Sequence, residues 1–157
     1  MQGRGRRLAV AAVAAAVAAT VGLAACTNTD AADQKVVDRL FALDVLTVPR
    51  GGSELSRTSA KGGGNQAIRN SSTATVVYAT THAPAEVGQA FHSRFDSRWR
   101  FVDNRGGPPG GWQGNGALVS DAGTVANVLA RRVTPGDKAP ASSQSVVTVT
   151  VSATRPA

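Results

Sequence analysis

With 157 residues, 42% of them hydrophobic and 4% aromatic, the chain has the size and make-up of one globular domain plus an extra segment, not of a disordered or fibrous protein. Its 17 Lys and Arg stand against 10 Asp and Glu, a formal +7. A single cysteine excludes an intramolecular disulfide, and no cluster of Cys and His has the spacing of a zinc site.

The chain opens with Arg4, Arg6 and Arg7, followed by an uncharged run from Leu8 to Ala25 in which Thr20 is the only polar break. A basic start, an apolar middle and a small-residue exit form the layout of an export signal. The length would also fit a spanning helix. However, about half of the run is Ala, a weak membrane residue, and no basic stop-transfer cluster follows.

The run ends in Leu23-Ala24-Ala25-Cys26. This stretch resembles the lipobox of bacterial lipoproteins, in which Leu and two small residues precede the processed Cys. The resemblance implies that residues 1–25 are a signal peptide and that the Cys26 sulfur carries a diacylglyceryl group. It places the protein on the extracytoplasmic face of the cell membrane, held through acyl chains. A thiolate suits this alkylation, being the strongest side-chain nucleophile near neutral pH. One acyl chain binds a bilayer only marginally, whereas two hold a protein there. Arg6-Arg7-Leu8 also loosely resembles a twin-arginine signal, which leaves the export route open between that and the general one. Removing Arg4, Arg6 and Arg7 lowers the basic count from 17 to 14 against 10 acidic, a formal +4. So modest a charge gives no reason to expect nucleic acid as a partner.

Residues 26–34 read as a polar tether and residues 35–157 as a single domain. Val36, Val37, Leu40 and Phe41 have helical spacing, and Val45 to Val48 read as an extended piece stopped by Pro49 and Gly51-Gly52. "SELSRTS" suits a brief strand and "AKGGGNQAIRNSS" a loop. Thr73 to Thr80, β-branched and aromatic, read as a strand. "APAEVGQAFHSRFDSR" gives the clearest helix: Pro84 suits its first turn, Glu86 its dipole, and Val87, Phe91 and Phe95 form one apolar stripe. "WRFVD" alternates as a strand, while "NRGGPPGGWQGNG" has the composition of an irregular loop. "ALVS", the turn "DAGT" and "VANVLARRV" suggest a hairpin. After a second loop, Val147, Val149 and Val151 alternate with Thr148, Thr150 and Ser152 in a last strand. The expected fold is α+β: an antiparallel sheet of about four to six strands with one or two helices packed on one face.

The early "VP" with its glycines, "VVYATTHAPAEVGQAFHSRF" with a Trp soon after, the hairpin and the valine-rich last strand together resemble a largely uncharacterised group of small exported α+β proteins of high-GC bacteria. That resemblance covers about two-thirds of the chain and implies a fold but no activity.

Few residues point to chemistry. His92 and Asp96 are four apart on the helix and could pair or supply half a metal site, but a metal needs three or four ligands. No serine sits in a nucleophile elbow, and neither Gly62-Gly63-Gly64 nor the run Gly106 to Gly116 ends as a phosphate loop does. Trp112, in the long Gly/Pro stretch, has two readings: an indole presented for partner contact, or a ring folded back to close a ring-poor core. Arg94, Arg98, Arg100, Arg105, Arg131 and Arg132 could gather against lipid headgroups or an anionic wall polymer, or form an ordinary solvated surface. The expectation is a lipid-anchored, non-enzymatic domain with no cofactor or metal, contacting another envelope protein or polymer. The alternative is a carrier or sensor for a small or lipidic ligand between helix and sheet, which needs an apolar cavity of about 300 Å³ or more.

Overall fold

A computed structural model describes residues 31–63, 71–95, 97–104 and 107–153. The alternation of Val with Thr in the last strand reflects its place in the sheet. Strand β6 (Ser145–Ala153) lies at the centre, with β2 (Ser72–Thr80) on one side and β5 (Asp121–Arg132) on the other. The remaining strands are β1 (Ser53–Ala60), β3 (Trp99–Asp103) and β4 (Trp112–Leu118). The six-stranded sheet has the order β1-β2-β6-β5-β4-β3, and every neighbouring pair is antiparallel. The class is α+β, as expected.

Register aligns the apolar positions into rows across the sheet. Val149 lies opposite both Val76 and Val128, and Val151 opposite both Ala74 and Ala126; all six are buried. The alternate residues Thr75 and Thr150 meet through their hydroxyls at 3.0 Å, and Asn127 donates to Asn115 Oδ1 at 2.6 Å. Period-two alternation thus gives the sheet one apolar face and one polar face. Edge strand β1 is mostly exposed and carries Glu54, Arg57 and four Ser or Thr, a composition that discourages pairing with another chain.

Helix α1 covers residues 31–41, so residues 31–34, read as tether from the sequence, are helical. A single 3₁₀ turn (Asp44–Leu46) follows, where an extended piece was expected to begin at Val45. Helix α2 (Pro84–Phe95) is the apolar-striped helix of the sequence reading. Glu86 reaches back to accept from the Ala83 N–H at 2.9 Å, satisfying one of the donors left over at a helix start. One hydrophobic cluster joins Val36 and Leu40 of α1, Val45 and Leu46 of the 3₁₀ turn, and Val87, Phe91 and Phe95 of α2 to the buried strand residues.

Two sequence expectations are corrected. The stretch around Trp112 is not irregular: Trp112–Leu118 forms β4, paired with both β3 and β5. Its glycines are there for space. A Cβ on Gly116 would come within 2.7 Å of the Phe101 ring, and one on Gly114 equally close to the Trp112 ring. The β4–β5 hairpin forms as expected, but it turns at Val119 and Ser120, and "DAGT" belongs to β5.

Candidate functional site

Helix α2 organises both places where polar groups meet apolar walls. At one of them, Asp103 ends strand β3 two residues after Phe101, which itself follows Trp99 by two, so the period of the strand turns all three to the same face. Asp103 Oδ1 lies 2.7 Å from His92 Nε2 and accepts from Trp112 Nε1 at 2.9 Å. These two hydrogen bonds hold the Asp103 carboxyl below the usual carboxylate range, His92 contributing the larger part. The Trp112 ring stacks on Phe91 at 6.0 Å between centroids and meets His92 edge-on at 6.1 Å.

Trp112 is therefore half-buried and turned inward, the second of its two sequence readings, rather than presented on a loop. Among the described residues His92 pairs with Asp103 of β3; Asp96, the partner proposed from the sequence, lies outside the described residues, as does Arg105. Asp103 was missed because a single carboxylate at a strand end carries no motif. The alternation of "WRFVD" was its one available signal. The cluster joins helix to sheet through a carboxylate that accepts from two ring N–H groups at one oxygen.

The second place is a cleft of about 110 Å³ between α2, β2 and the segment after the 3₁₀ turn. Val45, Pro49, Val87, Ala90, Phe91 and Phe95 supply its apolar wall, and Tyr78, Thr80, His82 and Arg94 its polar groups. His82 is engaged at the helix start, where its Nδ1 lies 3.5 Å from Glu86 Oε2. Thr80 Oγ1 accepts from the His82 N–H at 3.3 Å. Burial pushes the Tyr78 hydroxyl above its ordinary range, and the neighbouring Arg94 charge opposes that shift in part. Arg94 itself lies over the Phe95 ring, 5.0 Å from its centroid.

The described arginines are not all in one place: Arg94 lines the cleft under α2 and Arg100 a separate depression. Arg98 pairs with Asp44, Arg131 forms a two-pronged pair with Asp137, and Arg100 borders a broad, shallow depression over β3, β4 and β5 with Val102 and Val125. Val102 is 67% exposed and Val125 46%. Among the described residues, no three or more His, Cys, Asp or Glu are placed to hold a metal ion, and no helix is long and apolar enough to cross a membrane. Cys26 and the run before it lie outside the described residues.

Comparison with known protein families, with characterised proteins and with solved structures gives no match.

Proposed function

We propose that this chain is a lipid-anchored protein of the bacterial envelope, held by acyl chains on Cys26, whose α+β domain acts by binding rather than by catalysis. The observation that carries the reading is the Leu23-Ala24-Ala25-Cys26 stretch at the end of an uncharged run led by three arginines. Cys26 is five residues before the first described helical residue, which keeps the domain within a short reach of the lipid.

In this reading both helices cover the apolar face of the sheet and leave the Thr- and Asn-bearing face free for an envelope protein or polymer. The common cluster of Val36, Leu40, Val87, Phe91 and Phe95 with the alternate strand residues supports it. So does the exposure of Val102 and Val125 beside Arg100 and Asn127. A carrier that holds a lipid between helix and sheet is disfavoured, because the cleft there of about 110 Å³ falls well short of the roughly 300 Å³ such a ligand requires.

The test is Cys26→Ala expressed in a bacterial host, with membranes and soluble fractions separated and the chain labelled with a clickable palmitate analogue. Label on the parent chain alone, with the variant released from membranes, supports the anchor. A variant that stays in the membrane fraction, or a parent that takes no label, overturns it.

A further inference from the structure

The cleft under α2 is too small for a lipid, yet its chemistry is that of a specific site. Tyr78 is 4% exposed and lines the cleft, and its hydroxyl makes no hydrogen bond among the described residues. A hydroxyl that lines an open cleft without a partner inside the fold is free to bond a group that enters it. Burial also keeps this hydroxyl protonated, so it is available as a donor.

Arg94 is the second donor group. It makes no ion pair, its contact being the face of Phe95. It lines the same cleft as Tyr78. Among the residues that line the cleft, none is Asp or Glu. The nearest titratable neighbour, His82, is turned to Glu86 at the other end of the helix. The polar end of the cleft therefore presents a guanidinium and a hydroxyl donor with no carboxylate in the lining.

The apolar end sets the size. An apolar cavity of about 150 Å³ holds a benzene molecule, so about 110 Å³ open at one side takes a chain of roughly four to six carbons. Valine and phenylalanine walls favour an aliphatic tail, while a guanidinium fork with an adjacent hydroxyl matches the two oxygens of a carboxylate.

We propose that the cleft between α2 and β2 binds a short aliphatic carboxylate, its carboxyl group on the Arg94 guanidinium and the Tyr78 hydroxyl and its tail against Val87, Phe91 and Phe95. The site is independent of the anchor at Cys26, and it makes the domain a receptor for a small metabolite at the cell surface in addition to any partner on its open sheet face.

The test uses the full chain in phosphatidylcholine nanodiscs, with thermal unfolding followed by tryptophan fluorescence, which Trp99 and Trp112 report from the core. The probes are hexanoate, hexanol and hexylamine, each up to about 10 mM, the range in which so small a ligand saturates. Hexanoate is expected to raise the unfolding midpoint, and hexylamine to leave it unchanged. Arg94→Gln is expected to weaken hexanoate about tenfold or more, to the level of hexanol, since it removes a charge-assisted pair. Ala90→Leu, at an exposed helical position on the rim that tolerates the larger side chain, should abolish both responses while the variant stays folded. No hexanoate response in the parent chain, or an equal response in Arg94→Gln, overturns the proposal. A hexanol response equal to that of hexanoate does the same, because it reduces the site to an apolar cleft.

Discussion

Gly88 of α2 and Trp112 of β4 are in contact: a Cβ added at Gly88 would lie 2.6 Å from the indole nitrogen that donates to Asp103. The helix can approach the sheet here only because this position has no side chain. Ala is a better helix former than Gly by about 1 kcal/mol, but overpacking a fitted contact costs about 1–3 kcal/mol. Gly88→Ala is therefore expected to lower stability, seen as a lower urea midpoint with an unchanged slope. A variant more stable than the parent would mean that the ring moves aside freely.

Phe91 meets Phe95 at 5.4 Å, Phe101 at 5.8 Å and Trp112 at 6.0 Å between ring centroids, in a core where rings are few. Phe91→Ala should cost about 3–5 kcal/mol, the usual range for emptying a buried aromatic site. Denaturant titration checks this, and a loss below about 1 kcal/mol would show that the neighbouring rings collapse into the space.

Asp103 is more acidic in the folded chain than in the unfolded one, because His92 and Trp112 donate to its carboxylate. Its contribution to stability is then complete above the ordinary carboxylate range and is lost as pH falls through its lower folded value. Asp103→Ala should lower stability near neutral pH and flatten the acid limb of the stability–pH curve. The effect should be modest, since the Asp103 side chain is 62% exposed. An acid limb identical to that of the parent chain would count against the cluster as a stabilising contact.

Asp137 pins the loop between β5 and β6. It accepts from Arg131 at 2.6 and 2.8 Å, from the Thr134 N–H at 2.7 Å and from the Thr134 hydroxyl at 2.9 Å. These contacts, led by Arg131, hold its carboxyl well below the usual range. Asp137→Ala should speed hydrogen exchange across residues 131–144 while leaving β2 and α2 protected. Unchanged exchange in that segment would mean that the strands alone order the loop.

Much of this architecture was legible because it follows two simple periods. The Val–Thr alternation of β6 is visible as written, and so are the fourfold spacing of Val87, Phe91 and Phe95 and the alternation of Trp99 with Phe101. β4 was hidden because its glycines, read as loop formers, are spacers beneath two rings, Trp112 of the same strand and Phe101 of β3. The Asp103 cluster was hidden for a similar reason, since His92 and Trp112 are brought to it by the register of β3 with β4 and by the packing of α2. The cleft depends on Tyr78, whose place in the β2 alternation was readable. That its hydroxyl meets no partner among the described residues is a fact of tertiary packing, to which local sequence is blind.

The last described strand lies in the interior of the sheet, between β2 and β5. β6 has to slot between β2, more than sixty residues earlier, and β5, and until it does β1 and β2 form one detached hairpin and β3, β4 and β5 another sheet fragment. Sheets closed by such distant pairings assemble slowly. A chain that emerges from its N-terminal end therefore cannot complete the sheet until β6 is free. The order of strands makes the joining of the two halves of the sheet depend on β6, the last described strand.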